Sequence, residues 1–99
     1  MEKNKNFSVK KITEKSLRTG TISIVIYDIS MASDINKIIS EYSNFILARQ
    51  GLPLRSKGLY IINLVIEATL DIINALTGKL GRLNNVEVKA IVVKEQQNA

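Results

Sequence analysis

The chain has 99 residues, 45% of them apolar, enough for one domain built around one modest core. It contains neither histidine nor cysteine, which excludes disulfides, zinc and iron–sulfur ligation by those side chains, a histidine base and a cysteine nucleophile. The net charge of +5 is unevenly placed: residues 1–18 hold six basic and two acidic side chains, net +4, while the remaining 81 hold eight and seven.

Residues 1–18 therefore read as a basic arm ahead of a nearly neutral domain at 19–95, with a polar tail at 96–99. The arm is charged throughout and lacks the apolar centre of a secretion signal. The longest apolar stretch, residues 59–66, is interrupted by Asn63 and is far too short to span a bilayer. A cytoplasmic protein with no membrane segment is expected. The arm's charges suit a solvated tail, and Phe7, Val9, Ile12 and Leu17 offer it a way to dock on a neighbouring subunit. The alternative is a nucleic-acid-associated regulator that uses this arm. A charge of +4 steers association but cannot read base edges, so specific nucleic-acid recognition is not expected.

Residues 21–28 alternate Ile22, Ile24 and Ile26 with Ser23, Val25 and Tyr27, the period of a strand. Turn chemistry follows, with Ser30 as a candidate helix cap and Asp34 near the positive end of the helix dipole. Ile35, Ile38, Ile39 and Tyr42 mark one face of a helix at 31–42. A short second strand is expected at 45–50, ended by Gly51-Leu52-Pro53 because proline cannot donate to a ladder. A polar loop at 54–57 leads through Gly58 into a third strand at 58–67. Thr69 then caps a second helix at 69–82, with Asp71 in its first turn and Ile72, Ile73, Leu76, Leu80 and Leu83 along its apolar face. Asn84-Asn85 turns into a last strand at 86–94.

The order is βαββαβ. It predicts an α+β, ferredoxin-like sandwich in which a four-stranded antiparallel sheet carries both helices on one face. The uncovered face would still hold several large aliphatic side chains, whichever alternating set points inward. Each such side chain is worth roughly 1.5–3 kcal/mol when buried, so a homo-oligomer, a dimer or a tetramer, is expected.

Three local patterns invite a function. Arg49, Arg55 and Lys57 surround Gly51 and Pro53 between two strands, where guanidinium forks suit an anionic ligand and glycine admits backbone amides. Gly78 and Gly81 lie in the last turns of the second helix, where each glycine costs about 1 kcal/mol relative to alanine. They resemble a phosphate loop only superficially, since such loops precede a helix N-terminus. Close helix–sheet packing or helix termination explains them better. The carboxylates are scattered among caps and turns, giving no acid/base pair, and the sheet aromatics Tyr27 and Tyr60 sit in no RNA-binding motif.

The segments Ile38-Ile39-Ser40-Glu41-Tyr42, Ala48-Arg49-Gln50-Gly51-Leu52-Pro53-Leu54-Arg55 and Leu76-Thr77-Gly78-Lys79-Leu80-Gly81-Arg82-Leu83 together resemble the small regulators of the iron-only hydrogenase system. The resemblance covers roughly residues 21–94. Those proteins are ACT-like domains, similar in fold to the ligand-sensing half of the nickel-responsive repressor. It implies a non-enzymatic, oligomeric regulatory or sensing domain that binds a small effector, or a partner protein, at subunit interfaces. Arg49, Gly51, Pro53, Arg55, Gly78 and Gly81 are the ligand or interface candidates. No catalytic residue, metal or cofactor is implied: the repressor's histidine and cysteine ligands are missing, as is its DNA-binding domain. Amino-acid-binding members place a glycine after the first strand, where residues 28–33 have none.

Overall fold

The computed structural model describes residues 17–94, so most of the basic arm and the polar tail lie outside the described residues. The elements are β1 (Leu17–Ile26), α1 (Ala32–Ser40), β2 (Ile46–Leu54), β3 (Leu59–Thr69), α2 (Leu70–Gly81) and β4 (Val86–Val92), with 3₁₀ turns at Ile29–Met31, Ser43–Phe45 and Arg55–Lys57. The sheet order is β2-β3-β1-β4, and every neighbouring pair is antiparallel. This is the expected βαββαβ ferredoxin-like fold.

The alternation of β1 decides which face is covered. Ile22, Ile24 and Ile26 are fully buried, as are Ile62, Leu64, Ile66 and Ala68 of β3. They join Ile35 and Ile39 of α1 and Ile73, Leu76 and Leu80 of α2 in one cluster. Both helices therefore pack on the same side of the sheet, each through the stripe that its 3.6-residue period defines.

The start of α2 follows side-chain chemistry. Thr69 has extended backbone angles, and its hydroxyl accepts from the Ile72 amide at 3.3 Å, the expected cap of α2. α1 has Met31 at its N-cap position and no side-chain cap, and Ser30 does not cap it; Asp28 instead caps the preceding 3₁₀ turn Ile29–Met31. The Asp28 carboxylate accepts from both the hydroxyl and the amide of Ser30, which holds its pKa below the usual carboxylate range. Asp34 does lie in the first turn of α1.

Two expectations are corrected. The sheet takes in more chain than the sequence pattern suggests. β1 starts at Leu17, so the end of the arm belongs to the sheet. β2 runs through Gly51 and Pro53 to Leu54 rather than stopping at 50. An edge strand has one side without a ladder, which is where proline is tolerated. The glycines of α2 also do not bring the helix close to the sheet: a Cβ built on Gly78 or Gly81 meets nothing within 4 Å. Gly81 is the last residue of α2, but its φ is not positive and Arg82, the C-cap, is right-handed, so no left-handed turn requires a glycine there. Gly78 has no packing reason among the described residues.

Candidate functional site

The face of the sheet away from the helices is organised in rows across the strands. The register sets Leu52, Ile61, Val25 and Glu87 side by side, then Gln50, Asn63, Ser23 and Lys89, then Ala48, Val65, Thr21 and Ile91. Two apolar rows thus flank a polar one. In the polar row the Ser23 hydroxyl donates to the Asn63 side-chain oxygen at 2.9 Å. Val25, Ile61 and Val65 are half-buried by their neighbours alone, whereas Leu52 is 51% and Ile91 71% exposed. Along the same face the Tyr27 hydroxyl donates to Glu87 at 2.8 Å. That bond, the carboxylate's charge and slight burial raise the phenol's pKa above its ordinary value.

The second surface is β2 itself. Seven of its nine residues are exposed, and among the described residues it pairs only with β3. An irregularity between Ile46 and Ala48 leaves Leu47 as an extra residue, 61% exposed. Arg49 lies opposite Leu64 on the helix side, where its guanidinium donates to the Asn36 side chain of α1. Gly51 lies beneath the Tyr60 ring: a Cβ there would sit 2.9 Å from the Tyr60 hydroxyl. Pro53 is the register partner of Tyr60. Arg55 and Lys57 occupy the 3₁₀ turn that follows, closed by Gly58 in the left-handed region at φ 68°. Arg49, Gly51, Pro53 and Arg55 therefore share one edge of the molecule.

Gly78 and Gly81 do not join them. α2 packs on β4, β3 and β1, and β4 is the opposite edge of the sheet from β2. Near that end of the helix layer, Lys79 approaches Glu41 at 3.5 Å and lies 5.1 Å from the Tyr42 ring centre. This exposed tie between the helices adds little stability. Among the described residues no three carboxylates gather as a metal site would require, and no helix is long and apolar enough to cross a membrane.

Asn36 and Tyr60, the partners of Arg49 and Gly51, went unseen in the sequence pattern. Counting back from the Leu54–Leu59 pair across the tight connection would have set Tyr60 opposite Pro53, next to Gly51. Nothing in the sequence points to Asn36, because that contact depends on how α1 lies over the sheet.

Element order, strand order and a single helix-bearing face define an ACT-like module of ferredoxin-like fold. Within that class, the chain belongs to the family whose model is described as "TM1266-like: Iron-only hydrogenase system regulator, putative", which it matches over residues 18–90. It is similar to the uncharacterized protein TM1266 from Thermotoga maritima, at 37% identity and a TM-score of 0.75, over 79% of this chain and 99% of that one. It is also similar to the ACT domain from GTP pyrophosphokinase of Chlorobium tepidum, at 25% identity and a TM-score of 0.64, over 74% and 96% of the two chains. A de novo designed protein, Foldit4, shares the fold at 14% identity and a TM-score of 0.51, over 81% and 99%. No curated protein matches the chain.

Proposed function

We propose that the chain is a non-enzymatic regulatory module that works as a homo-oligomer, its copies meeting through the uncovered face of the sheet. The observation that carries this reading is the pair of apolar rows on that face, Leu52-Ile61-Val25 and Ala48-Val65-Thr21-Ile91. An open sheet with one wet face ordinarily alternates apolar inside with polar outside, and these rows break that alternation. A second copy would remove them from water, and the intervening row of Gln50, Asn63, Ser23 and Lys89 supplies groups to pair across the contact.

Regulation then acts through binding, either of a small anionic effector or of a partner protein, at Arg49, Gly51, Pro53 and Arg55. Membership of a family described as regulators of the iron-only hydrogenase system supports this reading, as does the likeness to an ACT domain from a larger enzyme. The chain's lack of histidine and cysteine supports binding over catalysis.

The experiment combines native mass with ligand-induced thermal shifts on the purified full chain, using nucleotides and di- and tricarboxylates as probes. A dimer or tetramer whose melting temperature rises with one anion class is the expected result. A monomer at all concentrations would remove the oligomer from the reading, and turnover of any probe would remove the non-enzymatic claim.

A further inference from the structure

We infer that residues 1–16, the basic arm ahead of β1, fold back across the end of their own sheet where β3 passes into α2. The arm's apolar side chains then cover Leu17 and Leu70, and its lysines meet Glu67 and Asp71. This contact is independent of the one between copies proposed above.

The exposed apolar surface gathers where the arm begins. Among the described residues eight large apolar side chains are exposed. Five of them, Leu17, Leu47, Leu70, Ile91 and Val93, fall in the half of the sheet nearest Leu17. Ile91 belongs to a row that faces the second copy, and Leu47 lies beside that row. Leu17, Leu70 and Val93 lie past it, at the sheet's end. Leu17 is the register partner of Thr69, which Leu70 follows, and the Val93 amide donates to the Thr19 carbonyl at 2.8 Å. Covering the rows does not by itself take this end out of water.

Charge points the arm toward β3. Glu67, opposite Thr19, and Asp71, in the first turn of α2, flank Leu70 in the chain. Both are exposed, and neither is ion-paired among the described residues, where the one pair is Lys79–Glu41. The β4 side of the same end instead carries Lys94 and Arg18, whose guanidinium donates to the Val93 carbonyl at 3.0 Å. Cations at this end are therefore drawn to β3 and away from β4. The arm brings five lysines against two glutamates, together with Phe7, Val9 and Ile12.

Reach favours the arm's own chain. Adjacent strands are about 4.8 Å apart, and an extended chain advances about 3.3 Å per residue. Ile12, five residues before Leu17, can therefore reach about 17 Å, several times the step from β1 to the junction of β3 and α2. Tethering at Leu17 holds the arm near its own site at an effective concentration on the order of millimolar, an advantage a neighbouring copy lacks. The arm also lies outside the family match, which begins at residue 18, so this cover belongs to the chain and not to the shared module.

The chain has no cysteine, so Ser8→Cys gives a single site for a nitroxide spin label on the full-length, isotopically labelled protein. The expected result is loss of the amide signals of residues 67–71, recovered on reducing the nitroxide, while Val25 and Ile61 keep theirs. Phe7→Ser with Val9→Ser should restore the lost signals, and so should Glu67→Lys with Asp71→Lys. If the lysine pair disturbs the fold, the serine pair, confined to the arm, decides. In a mixture of spin-labelled, isotope-free chains with isotope-labelled, spin-free ones, all signals should stay.

Signals at 67–71 that persist beside the label would overturn the inference. So would a loss that survives the substitutions, which is what a tether sweeping freely past the site produces. Loss spread equally over Val25 and Ile61 would put the arm on the sheet face, and loss in the mixture would assign it to a neighbouring copy; either contradicts the docking inferred.

Discussion

At the scale of single residues, Gly78 and Tyr27 give the sharpest expectations. Among the described residues nothing needs the bare backbone at Gly78, and none lies within 4 Å of where its Cβ would sit. Replacing it with alanine should raise stability by about 0.8–1 kcal/mol, read as a higher denaturant midpoint. A loss instead would mean that a partner's backbone lies against it. The bond from Tyr27 to Glu87 raises the phenol's pKa, so folding favours the protonated form. Its contribution is whole below the unfolded value near about 10 and is lost as pH rises through the higher folded value. The natural chain should therefore lose stability more steeply than Tyr27→Phe as pH rises above about 10. Equal slopes in urea titrations across that range would show that the pair is not formed in solution.

At the scale of elements, the helices rest on one buried stripe each, and α2 also on its side-chain cap. Leu76 is fully buried between α2 and the sheet, and Leu76→Ala should cost about 2–5 kcal/mol. Thr69→Ala removes the side-chain cap of α2 and should cost about 1 kcal/mol in thermal or urea unfolding. Both helices and the two central strands were legible in the sequence because the period of their apolar residues is also the period of their burial. β2 was legible only in part. Its residues are mostly exposed, so no burial pattern marks them, and Pro53 reads as a stop unless the strand is already known to lie at an edge. The candidate residues Arg49, Gly51, Pro53 and Arg55 were legible as a cluster in sequence, and the edge keeps them together. Gly78 and Gly81 belong elsewhere because helix α2 ends toward the other side of the sheet, a matter of topology that local spacing cannot convey.

At the scale of the molecule, the helix layer satisfies one face of the sheet and leaves the other with apolar rows and a polar row between them. The fold alone does not decide function, as its recurrence in a designed protein illustrates. What distinguishes this chain is what its surfaces offer: a sheet face suited to a second copy, and a basic edge set apart from it. The most direct measurement is sedimentation equilibrium across the micromolar range, on the natural chain and on a variant carrying Val25→Lys and Ile61→Lys. These two residues are register partners at the centre of an apolar row, and neither belongs to the buried core. The expected result is a dimer or tetramer for the natural chain, and a monomer with unchanged circular dichroism for the variant. A natural chain that stays monomeric throughout, or a folded variant that still assembles, would contradict the account.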